Sequence, residues 1–377
     1  MVSKLKNKSK SKPNICLIYT GGTIGMQRNK TGTLRPPKDP DSFKEIVPEL
    51  TALARFDFVS LMNKDSTNMN PGDWKEIAQA IYDRRDKRYD GFVIAHGTDT
   101  MHFSASAVAF ALGINLDFPV VFTGAQTAPD VYHGDARVNL LRAFKVATVD
   151  FAEVAICFGN HVFRGCRAQK KDERRFEAFD SPAASPLADI TEDIIVSPLA
   201  KTRKDKKIIG PIEFQNEFAD GIIQVSLIPG LEPALLDNWL YNSKCRGIVL
   251  QSFGAGNVPS EAAYALTDFI RKAKKHGKPV LITSQFPANA TLHTAYEPGK
   301  KAVKAGAIPT GNMTSACATA KFRWVLAQVG AISKVTQVEE IKKKYNLSDN
   351  NSRMKCISEL MSTAFIEELD ETDKKSK

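Results

Sequence analysis

Short apolar runs alternate with amphipathic segments along most of this chain, and no other feature narrows its fold so far. NICLIY (14–19) reads as a strand. PGDWKEIAQAIYDRRDK (71–87) has a helical period, with Trp74, Ile77, Ala78, Ile81 and Tyr82 on one face. Pro71 and Asp73 stand at its start, where helices tolerate proline and favour acids. GFVIAH (91–96) is strand-like, and ASAVAFALG (105–113) reads as a buried helix ending at Gly113. FPVVFTG (118–124), ARVNLLRAFKVATV (136–149) and EVAICFG (153–159) continue the alternation. Strands separated by helices of this length predict a parallel sheet with helices on both faces.

Between Pro182 and Phe218 the periodicity gives way to charge, proline and isolated hydrophobics. The pattern then restarts with GIIQVSLIPG (221–230), RGIVLQSFGAGN (246–257) and KPVLITSQ (278–285), each followed by helical sequence. A last helix is expected over MTSACATAKFRWVLAQVG (313–330), leading to a charged, frayed C-terminus. The fold class expected is therefore α/β in two domains, each a mostly parallel sheet flanked by helices, the second smaller. The expected boundaries are a disordered basic tail (1–13), an N-terminal domain (14–200), a linker (201–218), a C-terminal domain (219–365) and a charged tail (366–377). The length, 377 residues, suits two cores better than one. No repeat of solenoid period occurs.

Charge is the feature that invites other readings. The net charge is +10, but five lysines fall within the first twelve residues and others cluster in KTRKDKK (201–207), RKAKK (271–275) and KKK (342–344). No aromatic residues interleave with them as a base-stacking platform would need, so solvated faces and a tail explain the charge better than a nucleic-acid partner does. Apolar runs such as IVL (248–250) are too short to span a bilayer. Too few apolar residues follow MVSKLKNKSKSKP for a secretory leader, which makes a cytoplasmic location the expectation. Cys16, Cys157, Cys166, Cys245, Cys317 and Cys356 form no CxxC pair and read as reduced, buried thiols.

Ligands in open parallel sheets collect beyond the carboxyl ends of the strands. The residues to read are therefore TGGTIG (20–25), HGTDT (96–100), TGAQ (123–126) and SFGAGN (252–257). TGGTIG lacks GxGxxG spacing and is a weak dinucleotide signal. Its glycines could instead turn N–H groups toward developing negative charge. Thr20 and Thr23 read either as turn and cap hydroxyls or, for one of them, as a nucleophile, and the loop alone does not choose. Thr98 and Asp99 exceed what a helix cap requires. Asp65, Ser66, Thr67 and Asn68 form a second polar cluster ahead of a helix. Hydroxyls at three sites with one carboxylate suit an amide-hydrolysing pocket, in which a lysine kept neutral by burial could activate a hydroxyl.

TGGTIGM (20–26), DSTNM (65–69), DGFVIAHGTDTM (90–101) and SFGAGN (252–257) resemble the bacterial-type L-asparaginases, in the cytoplasmic type I branch. The resemblance covers residues 14–345, with the motifs in the family's order; GMQR (25–28), VNLLRA (138–143) and FRGCR (163–167) carry the type I character. It implies two α/β domains per subunit and active sites shared across a homodimer, usually paired into a homotetramer. It implies Thr23 as nucleophile, forming an acyl-enzyme from L-asparagine and releasing ammonia before water frees aspartate. Thr98 would be the second essential hydroxyl and Lys170 the lysine acting on it. Asp99 would grip the substrate α-ammonium, Ser66, Thr67 and nearby N–H groups the α-carboxylate, and Asn257 would reach a neighbouring subunit's site. No metal or organic cofactor is implied. Glutamine is longer by one methylene, worth about 1–3 kcal/mol of discrimination, so minor glutaminase activity is expected.

The sequence departs from that family in two places. The lid after TGGTIG usually has a tyrosine, yet none occurs between Tyr19 and Tyr82; Thr33 stands near the offset and could relay a proton. RGCRAQKK carries Ala168 and Gln169 where the family tends to have threonines, and Lys171 follows Lys170 directly. Glu297 is a candidate carboxylate donated from a neighbouring subunit, His96 a turn-shaping residue, and SQFPANA (284–290) the place for a regulatory amino-acid site. Two alternatives remain. One is a glutamine-dependent tRNA amidotransferase subunit, whose relatives carry an extra β-domain where only 13 residues precede the first strand here. The other is a non-catalytic amino-acid-binding regulator on the same fold.

Overall fold

The computed structural model describes residues 12–28, 31–37, 39–205, 208–286 and 296–370. Most of the expected basic tail, parts of the lid, the end of KTRKDKK and the PANA stretch of the expected regulatory segment lie outside the described residues.

The N-terminal sheet has eight strands, in the order Ile194–Val196, Ala188–Ile190, His161–Arg164, Val154–Phe158, Val120–Thr123, Gly91–Ala95, Asn14–Tyr19 and Arg55–Ser60. The last five in this order are parallel, and Tyr19 ends level with Ala95 and Ser60. Gly91–Ala95, Val120–Thr123 and Val154–Phe158 are buried at every position. Helices cover both of their faces, so unbroken apolar runs rather than alternation mark them.

Beyond Val154–Phe158 the sheet turns antiparallel, first through the hairpin to His161–Arg164 and then through Ala188–Ile190 and Ile194–Val196. Two of these strands come from the stretch whose periodicity had faded. At three residues each they are too short to display a period.

The second sheet is parallel and four-stranded: Ile222–Ser226, Gly247–Ser252, Val280–Ser284 and Ile308–Pro309. One apolar core runs between the two sheets, where the helices Met101–Leu112 and Ser315–Val329 meet and Phe110 stacks on Trp324 at 5.6 Å. The segment expected as a linker is packed there. Phe214 stacks on Tyr82 at 4.1 Å, and the Gln215 N–H donates to the Ala111 carbonyl.

Three expectations need correction. The helix starting at Pro71 has an Asn70–Asp73 capping box but stops at Tyr82, because the following DRRDK offers no apolar face. The C-terminus is not frayed after residue 330: helices Thr336–Lys342 and Asn350–Ser362 follow, and the second buries Met354, Cys356, Ile357, Leu360 and Met361. Nor is 366–370 a charged tail, since Ile366 and Glu368 are buried. Opposite charges elsewhere in the fold neutralise those acids. All six cysteines are buried and unpaired. Among the described residues no helix is long and apolar enough to cross a membrane.

Candidate active site

Four loops converge at the carboxyl ends of the parallel strands. Gly21 and Gly22 have φ of 124° and 85°, a backbone region that side chains disfavour. A Cβ on Gly21 would collide with the Lys64 carbonyl, and one on Gly22 would lie 2.6 Å from the Gly97 nitrogen. The TGGT turn is thus wedged between the 64–66 and 96–99 loops. A Cβ on Gly97 would meet Ser66 Oγ at 2.7 Å, and one on Gly124 would meet Thr98 Cγ2 at 3.1 Å.

Within the TGGT turn the two threonines differ. Thr20 is buried and its hydroxyl donates to the Ala95 carbonyl at 3.0 Å, which locks the turn to the neighbouring strand. Thr23 opens the 3-10 turn Thr23–Gly25 and is half-buried. Its hydroxyl has no hydrogen-bond partner among the described residues. The hairpin that follows pairs Gln27–Arg28 with Leu34–Arg35, and an Arg28–Asp130 ion pair at 2.6 Å holds it against the loop after TGAQ. Thr33 is exposed on this hairpin.

Lys170 is the centre of the polar cluster. Its short strand, Gln169–Lys170, pairs antiparallel with Phe179–Asp180 and aims the amine at the 96–99 loop. Nζ donates to Thr98 Oγ1 at 2.9 Å and to Asp99 Oδ1 at 2.6 Å. Lys171 turns the other way, toward Asp180 at 3.4 Å. Ser66 is buried; its Oγ accepts from the Asp99 N–H at 3.2 Å, and its carbonyl accepts from the Thr100 hydroxyl at 2.7 Å. Thr67 is exposed and its hydroxyl donates to Asp65, whose carboxyl is held below its usual range chiefly by the Thr67 N–H.

Gln126 completes the cluster. Its Oε1 accepts from the Thr98 hydroxyl at 3.3 Å, and its Nε2 donates to the carbonyls of Asp172 and Arg175. The buried Asp135 carboxylate fixes the backbone beneath it, accepting from the Gln126 and Thr127 N–H groups. Sequence reasoning noted TGAQ as a strand end but assigned Gln126 no role. A polar residue three positions past the end of a buried strand is the available signal.

His96 is fully buried. Loss of hydration pushes its ring down to about 4, so it is neutral near pH 7, with Nδ1 2.7 Å from the Gly97 carbonyl. His102, also buried, is pushed down to about 4 by burial and then by the nearby Lys170 charge.

Asn257 and Glu297 lie elsewhere, at the carboxyl end of the second sheet. Asn257 bridges to Phe253, and a Cβ on Gly299 would sit 3.9 Å from Asn257 Oδ1, so the exposed start of the helix Glu297–Ala305 is its neighbour. No hydrogen bond or ion pair among the described residues joins either one to Thr98, Asp99 or Lys170 of the same chain.

Residues 14–200 match the asparaginase N-terminal family model, and residues 222–338 match the glutaminase/asparaginase C-terminal domain. L-asparaginase 1 of Escherichia coli is 33% identical over 327 residues, which cover 84% of this chain and 93% of that protein. The glutamyl-tRNA(Gln) amidotransferase D-subunit of Methanosphaera stadtmanae is 30% identical over 341 residues, covering 88% of this chain and 76% of that one. Among solved structures, L-asparaginase I from Vibrio cholerae superposes with a TM-score of 0.78 at 30% identity, covering 96% of this chain and all of that one. The thermostable L-asparaginase from Thermococcus kodakarensis has a TM-score of 0.78 at 27% identity, covering 95% and 99%.

Proposed function

Because the chain belongs to the asparaginase family, we propose that it hydrolyses L-asparagine to L-aspartate and ammonia through an acyl-enzyme on Thr23. The observation that carries this reading is the Lys170 amine, bonded to both Thr98 and Asp99 beside the TGGT turn. In the first half-reaction Thr23 Oγ1 adds to the side-chain amide carbon, the C–N bond breaks, and the hydroxyl proton ends on the departing ammonia. In the second, water adds to the ester; the Thr23–acyl bond breaks, its oxygen regains a proton, and aspartate leaves. The proton that water gives up passes to the Thr98–Lys170 pair, which returns one to the Thr23 oxygen as the ester bond breaks, so the lysine has the same charge before and after. Gln126 holds the Thr98 hydroxyl in line with Lys170.

The clamp for the substrate ends is separate from the reacting hydroxyls. Asp99 faces solvent with half its side-chain surface and receives the α-ammonium. Ser66 and the N–H groups at positions 65 and 66 receive the α-carboxylate. Asn257 and Glu297, which have no hydrogen bond to this cluster among the described residues, would complete the site of a second copy, as a homodimer or a pair of dimers. A glutamine-dependent amidotransferase role is the second reading, favoured by the identity to the archaeal amidotransferase relatives.

Ammonia release by the purified chain from L-asparagine and from L-glutamine, with Thr23→Ala alongside, tests the proposal. Release from asparagine is expected, falling by about 10⁴-fold or more in the variant, as for loss of other nucleophiles. Release from glutamine alone would favour the amidotransferase reading. Asparagine binding without turnover of either amide would point to a regulator.

A further inference from the structure

The last described residues, which read in the sequence as a charged tail, run as a strap from the second domain onto the segment that carries Lys170. Glu368 anchors the strap. It pairs with Lys321 of the helix Ser315–Val329 at 2.6 Å, with both side chains fully buried, and accepts from the N–H groups of Phe365 and Ile366. Around that anchor the strap faces the RGCR corner of the first domain. Cys166 Sγ donates to the Ile366 carbonyl, Arg167 Nε to the Glu367 carbonyl at 2.9 Å, and Arg167 Nη2 to Asp370 Oδ1 at 2.9 Å. Arg164 Nη2 stands 2.9 Å from Glu367 Oε2. Glu367 has a φ of 63°, unfavourable for a side chain, and is held there with its carbonyl on one arginine and its carboxylate on the other.

The corner so gripped leads directly to the candidate site. Arg167 is 3% exposed, and Lys170 lies three residues further on, after the fully buried Ala168. Asp370 also bonds Asn312 of the second domain, through Oδ2 at 2.6 Å and its own N–H at 3.3 Å. A buried guanidinium stripped of its acceptors cannot stay where it is without large cost, so losing the strap would move the corner and the strand Gln169–Lys170 that starts from it.

We propose that the strap Phe365–Asp370 is a positioning element for Lys170, setting the reach of its amine to Thr98 and Asp99 through Arg167. The effect on turnover rests on the assignment of Lys170 to proton transfer; the effect on the amine's position does not. Asp370 is half-exposed and Arg167 keeps its bond to the Glu367 carbonyl without it, so removing Asp370 should misplace Lys170 while leaving the chain folded.

Asp370→Ala, Asp370→Glu and Arg167→Leu in the full chain test this through two readouts. The first is steady-state ammonia release. Asp370→Ala and Arg167→Leu should lower kcat on the order of 10- to 100-fold with KM unchanged within about twofold, and should shift the pH profile of kcat, while Asp370→Glu recovers part of the loss. The second is the rate of Lys170 acetylation by acetic anhydride, read by mass spectrometry against the exposed Lys272. It should rise about tenfold as the amine leaves its two partners. A fall in kcat that only follows the folded fraction, with an unmoved pH profile and unchanged Lys170 labelling, would overturn the proposal. Should Arg167→Leu fail to fold, Asp370→Ala still decides. Should the wild-type chain hydrolyse neither amide, the functional reading fails by itself, and the labelling alone supports or overturns the strap.

Discussion

Lys170 and Asp99 form an ion pair of unequal burial: Nζ and Oδ1 are 2.6 Å apart, while the lysine side chain is 14% exposed and the aspartate 54%. One end of the pair is held inside the fold and the other faces the solvent from which a substrate arrives. The arrangement suits a carboxylate that keeps one oxygen on a resident cation and offers the other to an incoming one.

Asp99→Asn should therefore lower kcat/KM for asparagine on the order of 100-fold, mainly through KM, as expected when one partner of a close charge pair is removed. Succinamic acid, which lacks the α-amino group, separates the roles. If Asp99 binds the α-ammonium, the loss caused by the variant should be much smaller on it than on asparagine.

Lys170 and Thr98 share one hydrogen bond at 2.9 Å and are expected to act as a unit. Lys170→Met and Thr98→Ala should each reduce kcat by about 10²–10⁴-fold, the usual span for general acid–base groups. The double variant should be no worse than the weaker single one. Lys170→Arg should not rescue activity, because a guanidinium keeps its proton. Additive losses would separate the two residues.

Stability should fall in mild acid. His96 and His102 are pushed down to about 4 by burial. Their unfolded counterparts titrate near pH ~6.5. Between those values the unfolded chain binds protons that the folded chain does not. The contribution is therefore complete above the unfolded value and is lost as pH falls toward the folded one, at about 3 kcal/mol per histidine over the whole window. Urea midpoints measured between those two pH values should decline, and His102→Gln should flatten the slope.

Lys321 and Glu368 are fully buried 2.6 Å apart, and the lysine also donates to the carbonyls of Met361 and Thr363. Lys321→Met alone should cost about 3–5 kcal/mol in urea unfolding, since it leaves a buried carboxylate without its cation. Lys321→Met combined with Glu368→Leu should recover much of that loss. Equal destabilisation in the single and double variants would contradict this account.

Much of the candidate site could be read along the chain because it is built where buried strands end. A run such as GFVIA is apolar throughout, so the polar residues directly after it, His96 to Thr100, stand out without a structure. Thr20 and Thr23 could not be separated that way. Only the neighbouring strand's Ala95 carbonyl distinguishes a locked hydroxyl from an open one. The choice between Lys170 and Lys171 likewise depends on which side of a two-residue strand faces Thr98.

The sequence by itself determined the α/β alternation, the two sheets and the strand ends where polar residues gather, because hydrophobic periodicity and glycine turns are local properties of the chain. Tertiary structure decided the antiparallel edge and the fate of FIEELD (365–370). Nothing local in those six residues foretells burial; three are acids. Their charges are neutralised by Lys321, Arg164 and Arg167, cations between 47 and 203 positions away in the chain. Burial of charge depends on a partner, and a partner so distant comes within reach only once the chain has folded.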